Sequence, residues 1–367
     1  MDNKCLKLCF IAKPGSIHTQ RWLKWFAARG HDVHLIAVGN MYPPIENVKV
    51  DLEFPGYTLK NPRFWLRPFI TRKVLRNIKP DILHAHFVDD CGWLALLSGF
   101  HPYVVTIWGS DIRLLPARSR TGLGKYITRL TLKNADLVTS VSNELVNMAL
   151  QLSAGAEKTK IVIWGVDLRK FNDSINIGDV KKKLSLEDSL VVLSPRNLEE
   201  VYNIETIIRS IPAVVREIPN VKYVFLGGGA LEHELKTLTR SLGVEKHVVF
   251  TGRIVYEDMP KYYNLADICV SVSKSDGTPS SMLEAMACNL PLIVSDIPPY
   301  HEWIIQNKNG LYVPLFDHQA LSSSTLALLK DTNLRMRMGN ENVNLIKARA
   351  DEEKCLLNME NLYYSLL

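Results

Sequence analysis

The stretch Ser275–Asp296, which reads SDGTPSSMLEAMACNLPLIVSD, decides how the second half of the chain folds. It follows a short apolar run, Ile268–Ser271, and opens with the letters DGTP, which are typical of a turn. Residues 280–287 then predict a helix, and Leu292–Ser295 predict a second buried strand. A strand, a turn, a helix and a second strand in this order form the repeating unit of a parallel α/β sheet.

The turn is also the part of this stretch that we expect to bind a ligand. Backbone N–H groups of Gly277–Ser281 lie at the start of the predicted helix, where they have no partner within the helix and where its dipole favours an anion. Asp276 and Ser280 have a second interpretation, because either side chain could cap the helix instead.

The same alternation of short apolar runs and amphipathic helical segments extends over the whole chain of 367 residues. We therefore predict the α/β class, with two Rossmann-like doubly wound domains that face each other across a cleft. The polar sequence between Trp164 and Leu190 predicts the linker. The predicted parts are residues 1–168 as the N-terminal domain, 169–345 as the C-terminal domain, and 346–367 as a helix that packs back toward the N-terminal domain.

Ligands bind beyond the carboxyl ends of parallel strands, so the strand assignments also predict where a site lies. The predicted strands of the first half are Lys7–Ala12, Val33–Ala37, Ile82–His84, Val104–Thr106, Leu137–Ser140 and Ile161–Ile163. Those of the second half are Val191–Ser194, Val221–Leu226, Val248–Thr251, Ile268–Ser271 and Leu292–Ser295. The main predicted helices are 20–29, 68–78, 121–134, 204–216, 230–242 and 280–287.

Composition indicates a globular protein in a reducing compartment. Hydrophobic residues make up 47% of the chain, enough for two cores, and the apolar N-terminal run is too short for a signal peptide. The longest apolar stretch, Gly92–Ile107, is interrupted and shorter than the roughly 20 residues of a membrane span. The six cysteines have no metal-ligand spacing. We therefore expect a cytoplasmic protein.

Charge is distributed unequally between the two halves. Residues 1–170 carry a net +11, whereas residues 171–367 carry a net −5. Residues 63–79, RFWLRPFITRKVLRNIK, contain six Lys or Arg, no acid and several large apolar side chains. This composition predicts peripheral contact with an anionic membrane through residues 61–79. The alternative is the solvated face of a helix, and no nucleic-acid partner is expected.

The quoted stretch resembles the donor-site motif of the family 4 (group 1) glycosyltransferases, which are retaining enzymes with the GT-B fold. In that family two acidic residues bracket the loop and the helix start, and Asp276 and Glu284 keep this spacing. Other segments carry the resemblance over nearly the whole chain: RGHDVHLI (29–36), PDILHAHF (80–87), TIWGSDI (106–112), NADLVTSVS (134–142), GVDLRKF (165–171), FTGRI (250–254) and LADICVSVS (265–273).

The resemblance implies transfer of a sugar from a nucleotide-diphosphate sugar to an acceptor hydroxyl with retention of configuration. The implied pathway is cell-surface glycan or lipid-linked oligosaccharide synthesis, so the partners are the nucleotide sugar, as a co-substrate, and a glycan or lipid-linked acceptor. No cofactor is expected. No Asp-x-Asp pair ends a predicted strand, so we also expect no metal, and the leaving diphosphate would be stabilised by an arginine and by helix amides.

Site residues follow from the same resemblance. It implies that Asp276 holds sugar hydroxyls, that Glu284 accepts hydrogen bonds from a ribose, and that Arg196 pairs with the diphosphate. Together with His86, Asp276 and Arg196 are the catalytic candidates. The further donor-side candidates are Gly277, Thr278, Pro279, Ser280, Ser281, Arg253, Ile254, Gly228 and Asn203.

The sequence departs from the family near Arg196. The family has a Lys-Gly pair about five residues later, where this chain has Val201, Tyr202 and Asn203. A lost charge-assisted contact to phosphate costs about 1.5 to 3 kcal/mol. Either Arg253 compensates, or Tyr202 and Asn203 bind the phosphates, or the protein is a catalytically impaired GT-B subunit that binds a nucleotide sugar.

On the acceptor side we select the loop after the first strand and the segment TIWGSDI. The loop could bind an anionic acceptor, although an ordinary strand-to-helix turn is the alternative. In TIWGSDI a tryptophan stands where the family often has a histidine, so a ring face or the Gly109 amide would serve the sugar. Of the two histidines in PDILHAHF, His84 is expected to be structural. The acceptor-side candidates are Gly15, Ser16, His18, Arg21, Trp108 and Asp111.

Two other enzyme classes receive less support from these residues. An epimerase or hydrolase of nucleotide sugars needs strong acid and base groups at the anomeric carbon, and Trp108 argues against it. A dinucleotide-dependent oxidoreductase needs the full G-x-G-x-x-G pattern, which LGGGALEHEL (226–235) lacks.

Overall fold

The computed structural model describes residues 4–39, 42–54, 66–113 and 122–367. Contacts within the chain divide it into two compact units. Unit 1 is Met1–Trp164 with Lys354–Leu367, and unit 2 is Gly165–Glu353. Residue 345, the expected end of the second domain, falls inside the helix Thr332–Arg349, so the chain does not divide there.

In the described part of unit 1, seven parallel strands form one sheet with the order β3-β2-β1-β4-β5-β6-β7. The strands are β1 Lys7–Ala12, β2 Asp32–Val38, β3 Val48–Phe54, β4 Ile82–His86, β5 Tyr103–Ile107, β6 Leu137–Ser140 and β7 Thr159–Ile161. The helices are α1 Ile17–Ala28, α2 Arg67–Ile78, α3 Asp90–Ser98, α4 Ser110–Arg113, α5 Leu123–Asn134 and α6 Asn143–Gln151.

The sheet of unit 1 is covered on both faces, which explains why its central strands are continuous apolar runs. Successive side chains of β1 point to opposite faces, so Ile11 joins one hydrophobic core and Phe10 joins the other. Helices α2, α3 and α5 contribute to the first core, and α1 contributes to the second.

Unit 2 contains a second parallel sheet, with the order β10-β9-β8-β11-β12-β13. Its strands are β8 Leu190–Ser194, β9 Val221–Phe225, β10 Val248–Phe250, β11 Ile268–Ser271, β12 Leu292–Ser295 and β13 Gly310–Val313. Its helices are α7 Gly178–Lys183, α8 Ile204–Glu217, α9 Glu232–Ser241, α10 Met259–Leu265, α11 Ser280–Ala287, α12 Pro298–His301, α13 His318–Lys330 and α14 Thr332–Arg349.

The last helix, α15 (Glu352–Tyr364), returns the chain to unit 1. Its residues Leu356, Met359 and Tyr363 are fully buried in the same core as α1. The Tyr363 hydroxyl lies 2.5 Å from His84 Nδ1. The core of unit 1 is therefore completed by the end of the chain.

In each sheet the strand order reverses direction at one point, between β1 and β4 in unit 1 and between β8 and β11 in unit 2. The connections leave such a point toward opposite faces and open a crevice at the carboxyl ends of the two strands. The predicted α/β class with two doubly wound sheets is confirmed.

Two strands of the structure have no counterpart among the predicted strands, and one predicted strand is displaced along the chain. β3 was not predicted because its side chains are mostly exposed, as at an edge, so it lacks an apolar run. β13 was not predicted either. The strand expected at Ile161–Ile163 is Thr159–Ile161, because the backbone pairs with β6 two residues earlier.

Candidate functional site

Arg196 lies at the crevice of unit 2, directly after β8. Its guanidinium donates from Nη1 to Ser281 Oγ at 2.9 Å and pairs through Nη2 with the Asp276 carboxylate. It also lies 4.1 Å from the centre of the Tyr202 ring. Burial is the largest single influence and lowers the pKa of Arg196, but the charge of Asp276 together with Tyr300, Tyr202 and Tyr263 raises it overall. The motif residues 196, 276 and 281 are thus brought together.

The start of α11 has no side-chain cap. Its N-cap residue is Pro279, whose side chain cannot accept a hydrogen bond, so the interpretation of Asp276 and Ser280 as caps is wrong. Asp276 instead accepts from Gly277 N at 2.8 Å and from the Tyr300 hydroxyl at 3.3 Å. Thr278 is buried beside this turn. Asp276 is therefore bonded within the loop and does not cap the helix. The N–H groups in the first turn of α11 are capped by no side chain, so they can bind an anion.

Glu284 lies one turn into α11 and is 4% exposed. Its Oε2 accepts a hydrogen bond from the Tyr263 hydroxyl at 2.9 Å. This contact holds the carboxylate in a fixed position on α11. A carboxylate fixed in this way can accept hydrogen bonds from the two hydroxyls of a diol.

The loops after β8, β9 and β10 are tied to one another by backbone hydrogen bonds. Leu198 N donates to Gly228 O at 3.1 Å, and Gly227 N donates to Gly252 O at 2.8 Å. A Cβ at Gly228 would lie 3.9 Å from Cγ of Arg253, which is exposed, and Ile254 follows at half exposure. Gly228, Arg253 and Ile254 therefore lie at the same sheet edge as Arg196.

Asn203 does not offer its amide to a ligand. Its Nδ2 donates to Val272 O at 3.3 Å, and its Oδ1 accepts from Thr206 Oγ1 at 2.9 Å. The residue is buried and has φ 53, which places it in the left-handed region before α8. Its prediction as a donor-binding residue is corrected to a structural role, because both ends of its amide are already bonded.

A charged cluster that was not predicted from the sequence lies at the crevice of unit 1. Lys13 Nζ, after β1, lies 2.9 Å from Asp90 Oδ1 and 3.5 Å from Asp89 Oδ1, after β4. Burial, followed by the charge of Asp90, raises the pKa of Asp89 to about 8. Two aspartates directly after a buried strand are a signal that the sequence contains, but it does not identify Lys13 as their partner.

The loop between β1 and α1 is an ordinary turn, closed by Ser16 N donating to Lys13 O at 3.0 Å. Gly15 is exposed, and a Cβ there would meet nothing within 4 Å, so the turn does not require glycine. Arg21 is half-buried on α1. These positions give the loop no specific anion cradle in the structure.

Asp111 holds the loop after β5 and is fully buried. Its carboxylate accepts from Val88 N at 2.8 Å, Gly109 N at 2.7 Å and Trp108 N at 3.1 Å. The Gly109 amide is consequently occupied and does not serve a sugar. The Trp108 ring is half-buried and stacks on Phe87, with ring centres 5.1 Å apart.

The three histidines of this region lie among aromatic rings, where His84 and His86 are buried and His18 is half-buried. The His84 ring nitrogens contact Tyr363 and Thr106, as a structural histidine requires. His86 is fully buried, so its prediction as a catalytic residue is corrected. The His18 ring stacks on Trp164 at 4.7 Å. Burial lowers the pKa of both His18 and His86 to about 3, so His18 does not supply a positive charge to an anionic acceptor.

The basic segment of the sequence is described from residue 66 onward, and residues 61–65 lie outside the described residues. Helix α2 exposes Phe69 and Ile70, and Leu66 precedes it at 56% exposure. Beside its C-terminal end lies a groove of about 480 Å³, lined in part by Arg72, Arg76 and Lys79. No helix in the described ranges combines the length and the apolar character that crossing a bilayer requires.

Nothing among the described residues forms a metal-binding cluster of three or more His, Cys, Asp or Glu side chains. The charges at the crevice of unit 2 come instead from the Arg196–Asp276 pair and its neighbours. What this arrangement offers chemically is a buried guanidinium, a helix start and a fixed carboxylate, which suit a phosphorylated sugar derivative.

Two protein-family models match the chain. The model described as "Glycosyl transferases group 1" matches residues 177–344, and the model described as "Glycosyl transferase 4-like" matches residues 7–142. The two matches fall on unit 2 and unit 1 respectively.

Known proteins with related sequences or folds include enzymes that transfer sugars. The chain is 24% identical to the N-acetyl-alpha-D-glucosaminyl L-malate synthase of Bacillus anthracis, over 94% of this chain and 92% of that protein. It is 27% identical to the alpha-monoglucosyldiacylglycerol synthase of Streptococcus pneumoniae, over 76% and 67%. The structure of HepE from Anabaena, solved with UDP and glucose, superposes with a TM-score of 0.80 at 18% identity, covering 98% and 100%. This chain belongs to the group 1 glycosyltransferases with the GT-B fold.

Proposed function

We propose that the protein transfers a sugar from a nucleotide-diphosphate sugar to an acceptor hydroxyl, with the donor bound at the crevice of unit 2. The observation that carries this proposal is the convergence of Arg196, Asp276 and Ser281 at the carboxyl ends of β8 and β11, with Glu284 one turn further along the same helix as Ser281. The group 1 model that matches residues 177–344 supports a sugar nucleotide as the ligand of this unit.

In the proposed reaction the bond between the anomeric carbon and the diphosphate oxygen breaks, and a bond from the acceptor oxygen to the anomeric carbon forms on the same face. The acceptor proton passes to the departing phosphate oxygen, so no separate base and no metal are needed in this scheme. Charge develops on the diphosphate, where Arg196 and the N–H groups at the start of α11 would stabilise it. Asp276 would bind sugar hydroxyls, and Glu284 would bind the ribose diol.

The experiment is a thermal-shift and turnover comparison with UDP-, GDP- and ADP-sugars. A bound donor raises the melting temperature of the native protein by mass action. We expect one base to stabilise the protein, and Glu284→Ala to remove that shift, whereas Glu341→Ala, at an exposed carboxylate on α14, preserves it. If no nucleotide sugar changes the melting temperature, the proposal fails. Binding without turnover on any acceptor would favour the impaired-subunit alternative.

We further propose that the acceptor is lipid-linked or part of a cell-surface glycan, and that unit 1 contacts the cytoplasmic face of an anionic membrane. The support is α2, whose exposed Arg72, Lys73 and Arg76 lie beside exposed Phe69 and Ile70. Helix α5 adds Lys125, Arg129 and Lys133, all exposed, and neither helix contains an acidic residue. The name of the diacylglycerol-glucosylating relative also favours a lipid acceptor.

Vesicle flotation tests the membrane contact. Each basic side chain near an anionic surface contributes about 1 kcal/mol, so we expect Arg72→Glu/Lys73→Glu/Arg76→Glu to remove binding to phosphatidylserine-containing vesicles. A matched control reverses the charge of three exposed lysines of unit 2: Lys182→Glu/Lys246→Glu/Lys330→Glu. The contact is disproved if the α2 variant floats as well as the unchanged protein.

A further inference from the structure

Arg196 is already bonded to other side chains, so it does not offer a free positive charge to the diphosphate proposed for unit 2. Both terminal nitrogens of that guanidinium are bonded, one to Ser281 and one to Asp276, and the residue is only 8% exposed. Moving Arg196 away from Asp276 would remove the ion-pair partner of a carboxylate whose side chain is only 14% exposed, which is costly. A second positive charge that can move is therefore needed to neutralise a diphosphate.

None of the three residues that follow Glu200 in the chain meets this need. Val201 is uncharged, and the Tyr202 ring lies against the Arg196 guanidinium. The amide of Asn203 is bonded on both sides. The second cation must come from another loop of the same sheet edge.

Two cations of other loops lie at this edge, Arg253 after β10 and Lys274 after β11. Strands β10 and β8 are separated by β9, so at about 4.8 Å per strand β10 lies roughly 10 Å from β8. Strand β11, in contrast, is the direct neighbour of β8 at the crevice. Lys274 is therefore the cation that shares the crevice with Arg196.

The backbone places Lys274 where the family lysine is missing. Lys274 N donates to Val201 O at 2.8 Å, so the two residues lie side by side. Its side chain is 32% exposed, and Nζ lies 2.9 Å from Glu200 Oε1. The hydrogen bond from Lys274 and its charge lower the pKa of Glu200, which agrees with a formed ion pair. Glu200 is 85% exposed, so this pair is a weak surface pair that an anion can replace.

We infer that Lys274 is the second diphosphate-binding cation, contributed by the loop after β11, and that Glu200 holds its ammonium until a nucleotide arrives. This inference rests on the proposed donor site of unit 2. The lysine stem is flexible and its ammonium is a mobile point charge, so it can exchange Glu200 for phosphate oxygens without moving the backbone.

Calorimetric titration of the full chain with UDP, GDP and ADP, and with the matching nucleosides, tests the inference. Lys274→Gln is expected to lower the affinity for the nucleoside diphosphate at least about tenfold, because a charged contact to phosphate is lost. The affinity for the nucleoside should not change, since the nucleoside has no phosphate. Glu200→Gln is expected to strengthen diphosphate binding by about threefold, because the competing carboxylate is gone.

In the Lys274→Gln background, Glu200→Gln should have no further effect, because its action depends on the lysine. The matched control is Lys330→Gln, an exposed lysine of the same unit whose Nζ lies 2.7 Å from Glu217. It should bind the diphosphate as the unchanged protein does.

The outcomes separate this inference from the donor site on which it rests. If the unchanged protein binds none of the three diphosphates, the donor site itself is wrong. If it binds one and Lys274→Gln binds it equally well, or if only Arg253→Gln loses affinity, the inference about Lys274 is overturned.

Discussion

His18, His84 and His86 have ring nitrogens that are shielded from water, since His84 and His86 are buried and the half-buried His18 has an inaccessible Nδ1. Burial lowers the pKa of all three, and for His18 and His86 it falls to about 3 from an ordinary value of 6.5. All three are neutral in the native protein near pH 7, and unfolding allows them to bind protons once the pH falls below 6.5.

A prediction follows for the stability of unit 1 in acid. Between pH 6.5 and about 3 the unfolded chain binds more protons at these histidines, so the free energy of unfolding falls as the pH falls. Each histidine contributes about 1.4 kcal/mol per pH unit. Asp89 acts in the opposite direction, because its pKa is raised to about 8 and the native protein therefore binds its proton more readily than the unfolded chain does. Down to about pH 4 its contribution to the free energy of unfolding cancels that of about one histidine.

The measurement is denaturant unfolding from pH 6.5 to 5, followed by tryptophan fluorescence, since Trp303 is the single tryptophan of unit 2 in the sequence. His18→Phe keeps a ring against Trp164 and should reduce the pH slope by about 1.4 kcal/mol per unit. The control His233→Phe, at an exposed position of unit 2, should not change it. An unchanged slope in His18→Phe would show that His18 is protonated in the native state.

The sequence could identify only some residues of the site. Asp276, Ser281 and Glu284 were found because they belong to one continuous motif of loop and helix. Lys274 lies two residues before that motif, and its place beside Val201 depends on a strand pairing that the sequence does not state. The burial of His86 could not be predicted from the sequence either, because a residue at the end of β4 can have its ring at the surface or in the interior.

At the scale of elements, the loops after β8 and β9 approach each other so closely that glycine is required. Gly227 has φ 105, and a Cβ there would lie 2.7 Å from Asn197 Oδ1 and 3.2 Å from Asn197 Cα. Gly227→Ala should therefore strain the backbone at residue 227 and, through the collision with Asn197, displace the loop that carries Arg196. A left-handed residue costs about 1 to 2 kcal/mol by itself.

The matched control for this prediction is Gly243→Ala, because φ is +68 there but a Cβ would meet nothing within 4 Å. Both variants carry the backbone cost, and Gly227→Ala alone carries the collision. We expect Gly227→Ala to lower the unfolding free energy by about 1 kcal/mol more than the control and to weaken nucleotide binding. If Gly227→Ala and Gly243→Ala have equal unfolding free energies, the loop after β8 can move away from the new Cβ with no loss of stability.

Strand prediction succeeded where both faces of a strand are buried. Strands β1, β6, β11 and β12 are apolar runs bounded by turn residues, and their predicted limits agree with the structure. The edge strand β3 has the sequence VKVDLEF, whose charges are typical of a solvated segment. Edge strands pair on one side only, so their sequences carry less of the signal on which the prediction depends.

At the scale of the whole molecule, the chain builds unit 1 from its two ends. Helix α15 buries Leu356, Met359 and Tyr363 in the core that also contains Phe26, and Glu360 accepts hydrogen bonds from Arg29 Nε and His31 Nε2 at 2.9 and 2.8 Å. Unit 2 takes its strands from one continuous segment, Gly165–Glu353. A change confined to α15 should therefore affect the stability of unit 1 alone.

Met359→Ala is the sharpest form of this prediction. The side chain is fully buried, and shortening a buried methionine to alanine costs about 2 to 5 kcal/mol. The tryptophan-fluorescence transition of unit 1 should shift to lower denaturant, whereas nucleotide binding at residues 196–284 should keep its affinity at low temperature. The control Met336→Ala, at a side chain 60% exposed on α14, should leave both unchanged. A loss of nucleotide affinity in Met359→Ala without a shift of the fluorescence transition would contradict the assignment of α15 to unit 1, because the energetic effect of the helix would then fall on unit 2.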